Sequence, residues 1–110
     1  MGVSVYIQKK VEEAMEAFKE HFSNSWYEVR LRSPGRLGGD REFLLFKSKK
    51  LIAGIHVKRD SYKMYLNDEL VEHSKHKEEY ERKNGGLFIH FLTVQQCIQE
   101  IDDVLKTDKA

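Results

Sequence analysis

Apolar residues at Ile7, Val11, Met15, Phe18 and Phe22 recur at steps of four, four, three and four, with Lys9, Lys10, Glu12, Glu13, Glu16 and Glu20 between them. That spacing predicts an amphipathic helix with an aromatic lower half. Ser23, Asn24 and Ser25 interrupt it, and Tyr27, Val29 and Leu31 then alternate with Glu28, Arg30 and Arg32, the period of a half-buried strand. Ser33-Pro34-Gly35 and Gly38-Gly39-Asp40 bracket a long reversing loop, because Pro presets a turn and Gly takes backbone conformations closed to other residues. Phe43 to Phe46 form a short apolar run. After the polar turn Lys47-Ser48-Lys49-Lys50, Leu51, Ala53, Ile55 and Val57 alternate with Ile52, Gly54, His56 and Lys58. Arg59-Asp60-Ser61 turns the chain again, and Tyr62, Met64 and Leu66 alternate with Lys63 and Tyr65. Four strands joined in this way predict an antiparallel meander whose spatial order follows the chain.

Residues 68–83 are densely charged, with Leu70, Val71 and Tyr80 as the apolar anchors. The pattern predicts one surface helix closed by Asn84-Gly85-Gly86. Leu87 to Leu92 read as a fifth strand, and Thr93 with Gln96 as a capping box. In the final helix Val94, Cys97, Ile98, Ile101, Val104 and Leu105 line one face, with Gln95, Gln99, Asp102 and Asp103 outside it. The expectation is one α+β domain over residues 1–110: a single antiparallel sheet, the first and last helices packed on one face, the charged helix near an edge, and a second face open to solvent.

Composition changes this picture little. A chain of 110 residues that is 40% hydrophobic, 34% charged and 11% aromatic has the size and make-up of one globular domain. The lone Cys97 allows no internal disulfide, and neither a secretion signal nor an apolar run long enough to span a membrane is visible. A reducing, cytoplasmic setting is expected.

Charge changes it more. Between Tyr27 and Lys63 there are ten Lys and Arg against four acids, a net of +6, and the remainder carries −5, so the whole-chain +1 hides a two-sided molecule. Arg30, Arg32, Arg36, Arg41, Lys58 and Lys63 fall on the first strand, its loop and neighbouring strands. Together they suggest a basic sheet face that binds nucleic acid or another anionic surface, with Trp26, Tyr62 or Tyr65 available to stack on unpaired bases. The plainer alternative is a solvated face whose long side chains cover apolar surface and block edge pairing.

Catalytic patterns are absent from the sequence. His73 and His76 with Glu72 and Glu79 lack the spacing of the zinc-hydrolase helix, and a solvated helical face explains them better. His56 and His90 sit inside strands, where a bonded neutral ring is ordinary. Cys97 on an apolar stripe reads as a packing residue. No serine lies in a nucleophile elbow, and the glycines around residue 38 lack the Lys-Ser or Lys-Thr ending of a phosphate loop. No enzyme, no metal and no cofactor are expected.

Three segments are more specific: Phe43-Leu44-Leu45-Phe46-Lys47; the hairpin from Leu51-Ile52-Ala53-Gly54-Ile55-His56-Val57 through Tyr65-Leu66-Asn67; and Gly85-Gly86-Leu87-Phe88-Ile89-His90-Phe91 leading into the Thr93-capped helix. Their order resembles that of the small α+β domains of unknown function grouped with the YdhG-like and TfoX-N-terminal-like proteins, some of which are fused to nuclease-like or DNA-associated modules. The resemblance covers about two-thirds of the chain and implies a non-enzymatic or uncharacterised role in bacteria or their mobile elements. It carries no functional residue across. Two partner classes follow from the residues: nucleic acid at the basic sheet face, or a nucleic-acid-associated protein that captures the acidic helix through Glu78, Glu79 and Glu81 and is inhibited by it. A homodimer through exposed sheet edges is compatible with both.

Overall fold

Each strand alternates apolar with polar residues, and the two long helices carry apolar stripes wide enough to close only one side of a sheet. The computed structural model follows that logic and describes residues 5–32, 41–82 and 88–108. In chain order the elements are α1 (Val5–His21), β1 (Tyr27–Leu31), β2 (Glu42–Lys47), β3 (Lys50–Val57), β4 (Tyr62–Leu66), α2 (Asp68–Val71), α3 (Lys77–Arg82), β5 (Phe88–Phe91) and α4 (Val94–Asp108). The five strands form one antiparallel sheet in the order β1-β2-β3-β4-β5. The expected α+β class, the single antiparallel sheet and the chain-order meander are therefore present, with β5 added beside β4.

Both long helices pack on the same side. From α1, Val11, Ala14 and Phe18 are buried, and the Phe18 ring meets Phe43 of β2 edge-on at a centroid distance of 5.0 Å. From α4, Cys97, Ile98, Ile101 and Val104 enter the same core as Leu45, Ile55 and Met64. The capping box at the start of α4 is closed in both directions: Gln96 N–H donates to Thr93 Oγ1 at 3.1 Å, and Thr93 N–H to Gln96 Oε1 at 3.3 Å. Among the described residues no helix is long and apolar enough to cross a membrane.

Two local features depart from the periodic reading. The β2–β3 register shifts between Leu45, opposite Ala53, and Phe46, opposite Leu51. Ile52 is the extra residue of a β-bulge, which turns it into the core beside Ala53 and sets Leu51 against Phe46. The Ser48-Lys49 turn holds both residues at positive φ, 51° and 68°, the left-handed pair that matches the twist of a tight hairpin.

The charged segment is two short helices rather than one. The Ser74 hydroxyl accepts the His76 N–H at 2.9 Å and donates to Glu100 of α4 at 2.5 Å, so the backbone bends at residues 72–76 in place of continuing the helix. Tyr80 donates to the same Glu100 carboxylate at 3.1 Å. Burial and then this carboxylate raise the Tyr80 phenol above its ordinary range. Leu70, Val71 and Tyr80 are buried, which anchors the segment more deeply than three apolar residues suggested, and α3 lies along β5 at the sheet edge. The 33–40 loop and the Asn84-Gly85-Gly86 stop lie outside the described residues.

Candidate nucleic-acid interface

The side chains that alternate with the core line the opposite side of the sheet, away from α1 and α4. Their register defines a row across all five strands, Arg30–Leu44–Gly54–Tyr65–Phe88. Beside it runs a second, Glu42–His56–Lys63–His90, with Arg32 at its β1 end bonded through its N–H to the Glu42 carbonyl. On the other flank Phe46 stands opposite Glu28 and Leu51. Leu44, Phe46, Tyr65 and Phe88 are each half-buried, so this face holds aromatic and aliphatic surface with no helix laid over it among the described residues.

Cations cover that surface instead. The Arg30 guanidinium lies 4.7 Å from the Phe46 ring centre and the Lys63 ammonium 4.4 Å from that of Phe88, while His90 meets Phe88 edge-on at 5.9 Å. Such contacts join the electrostatic attraction of ring and cation to coverage of apolar area by a flexible stem.

Tyr65 is held differently. Its ring lies across Gly54, where an added Cβ would collide with the ring; the glycine is the slot that lets the ring lie on the sheet. The hydroxyl donates to Glu42 Oε2 at 2.7 Å, and Arg32 stands 3.6 Å from Glu42 Oε1. Burial first, and then the bond to Glu42, push the phenol up to about 12, so Tyr65 is a neutral donor throughout the physiological range.

The six basic residues singled out in the sequence do not form one patch. Arg30 and Lys63 are on the open face, with Arg32 at its β1 end. Arg30 is bidentate to Glu28 at 3.1 and 3.2 Å, so both arginines meet carboxylates there. Arg41 is half-buried before β2, its carbonyl accepting the Val57 N–H. Lys58 is exposed in the β3–β4 turn, where its carbonyl and that of Arg59 bind Lys10 Nζ at 2.6 and 2.9 Å. Arg36 lies outside the described residues.

Of the proposed stacking rings, Tyr65 is on the face and Trp26 is 63% exposed at the start of β1. Tyr62 is on the helix side at 7% exposure, with Lys10 Nζ 4.6 Å from its ring centre; it cannot stack on a base there. Phe46 and Phe88, which the basic reading passed over, hold the more favourable positions.

The acidic alternative is also divided. Glu78, Glu79 and Glu81 are all exposed on α3, but Glu79 bonds His76 Nδ1 at 2.8 Å and Glu81 lies 3.7 Å from Lys77. Among the described residues no three His, Cys, Asp or Glu side chains converge as a metal set. Cys97 is enclosed in the core, and burial pushes its thiol up to about 12, the condition of an inert packing residue. No family model, curated protein or solved structure matches the chain.

Proposed function

We propose that this protein binds single-stranded nucleic acid on the open face of its sheet. The observation that supports the reading is the pairing of aromatic rings with cations on a surface that no described helix covers: Phe46 under Arg30 and Phe88 under Lys63, with Tyr65 next to Phe88 in the row across the sheet. Unpaired bases stack on such rings, each contact contributing roughly 1–3 kcal/mol without regard to sequence. The displaced cations are then positioned for phosphates. The reading is of a binding role, carried by rings and cations rather than by a reacting group.

Partly exposed rings favour a splayed single strand over a duplex, whose bases are stacked inside and would leave the rings without partners. Titration of labelled single-stranded and duplex oligonucleotides, followed by fluorescence anisotropy at low and near-physiological salt, tests this. Single strands should bind preferentially, with a slope of log K against log salt near −0.7 for each phosphate neutralised. Phe88→Ala should weaken binding by about ten-fold or more, and Lys63→Ala should chiefly flatten the salt slope. Duplex binding as tight as single-strand binding, or indifference to both substitutions, would sink the reading.

A further inference from the structure

The two edges of the sheet are treated differently. Helix α3 lies along β5, whereas among the described residues β1 is hydrogen-bonded to β2 on one side only. Direction along β1 follows from its ends: Arg32 N–H donates to the Glu42 carbonyl and the Trp26 carbonyl accepts from Ser48. Even-numbered residues therefore bond to β2, and Val29 and Leu31 turn their backbone groups outward. The Tyr27 N–H, outward by the same rule, is turned back onto the Asn24 carbonyl at 3.1 Å. Edges that must stay single are commonly blunted by charges of one sign, Pro or a bulge. Tyr27–Leu31 has neither Pro nor a bulge in its register with β2, and its two charged residues, Glu28 and Arg30, are opposite in sign; Leu31 at its end is 53% exposed.

The strand is also complementary to itself. Laid antiparallel about Val29, Tyr27-Glu28-Val29-Arg30-Leu31 sets Glu28 opposite the partner's Arg30 and Arg30 opposite the partner's Glu28 on the open face. On the helix side it sets Tyr27 opposite the partner's Leu31 and so covers the exposed leucine. Val29 occupies the hydrogen-bonded pair, which leaves both acid–base pairs in the closer, non-hydrogen-bonded positions. Moving the axis one residue either way keeps the faces aligned but places Glu28 against the partner's Glu28, or Arg30 against the partner's Arg30. Charge therefore selects one register.

We propose that β1 is a homodimer interface, two copies joining edge to edge about a twofold axis at Val29 into a continuous antiparallel sheet with five strands from each. Both helix layers then lie on one side and both open faces join on the other. The inference stands apart from nucleic-acid binding and is tested without it. A single strand pair falls at the low end of interface size, below roughly 1,200 Å², so the dimer should dissociate on dilution.

Sedimentation velocity of the full chain over a concentration series is the measurement. The unmodified chain should shift from monomer to twice that mass as concentration rises. Glu28→Arg alone and Arg30→Glu alone set like charges across the axis and should each weaken self-association by about ten-fold or more. Both side chains are more than half exposed, so both variants should fold, which circular dichroism checks. Mixed in equal amounts, the two variants face acid with base again and should recover the dimer. A chain that stays monomeric throughout, single variants that associate as tightly as the original, or a mixture that fails to recover association would overturn the proposal.

Discussion

Phe43 and Phe46 lie three residues apart on one strand and meet opposite surroundings. Phe43 is at 0% exposure, edge-on to Phe18 under α1, whereas Phe46 is half-buried under a single guanidinium. The same contrast runs across the whole sheet. On the helix side Leu45, Ala53, Ile55 and Met64 are closed off by other apolar groups from two helices; on the open side the Phe46 and Phe88 rings are each shielded by one long cationic side chain. A helix-covered face spends its apolar surface on stability. A cation-covered face keeps that surface available to a partner, because the lid is a flexible stem whose head is solvated either way.

The comparison is broken most directly by truncating both phenylalanines. Phe43→Ala should destabilise the fold by about 3–5 kcal/mol, the range for a large buried aromatic whose cavity cannot collapse. Phe46→Ala should cost less than about 1 kcal/mol while reducing single-strand affinity through the lost stacking surface. Urea unfolding of both variants, paired with the oligonucleotide titration, checks it. Equal stability losses would mean that the open face is part of the core and not a reserved surface.

A finer test concerns Tyr65, the open-face ring whose position is fixed by the backbone itself. Gly54→Ala would drive a Cβ into the ring, and overpacking of this kind costs about 1–3 kcal/mol unless the ring leaves the face and gives up its bond to Glu42. The alkaline behaviour separates the bond from the packing. Tyr65 holds its proton more tightly when folded, up to about 12 against an ordinary value near 10. Its contribution is therefore fully present below pH 10 and declines as the pH rises toward 12. Denaturation followed across that window should show the decline, and Tyr65→Phe should reduce it while leaving the slope due to Tyr80, whose phenol is also raised. An unchanged slope would place Tyr65 in ordinary solvent and dissolve the distinction between a fixed ring and the cation-covered ones.

What was legible beforehand depended on the range over which each feature is determined. The stripes of α1 and α4, the Thr93 capping box and the strand alternations are set within a few residues and are present, except at Leu51 and Ile52, where the bulge exchanges the two sides. Alternation even sorts Tyr62 with Met64 and Leu66, and Tyr65 with Lys63, so the wrong stacking assignment of Tyr62 came from counting aromatics without using their parity. Phe46 was hidden by the unbroken run Phe43-Leu44-Leu45-Phe46, which has no polar residue to mark the outer face. The break between α2 and α3 is only half local: Ser74 accepts the His76 N–H two residues on, but its hydroxyl donates to Glu100, 26 residues away. The net charge between Tyr27 and Lys63 includes Glu28 and Glu42 among its four acids, but it is a sum that does not say where they lie; the fold sets them directly beside Arg30 and Arg32.

The smallest expected effect lies at the β2–β3 turn, on the boundary between the two faces. Ser48 and Lys49 both occupy left-handed backbone conformations, which cost a residue with a Cβ more than they cost glycine. The twist of the hairpin demands those conformations, and glycine is among the residues that supply them most readily. Lys49→Gly should therefore stabilise the protein by about 0.5–1 kcal/mol, the relief of backbone strain being partly offset by the greater freedom of glycine in the unfolded chain. The exposed Lys49 side chain contributes nothing to the described ring–cation set, so single-strand affinity should stay the same while the thermal midpoint rises. A loss of affinity with no change in stability would extend the binding surface around the sheet end toward Trp26, whose carbonyl is bonded to this turn through Ser48.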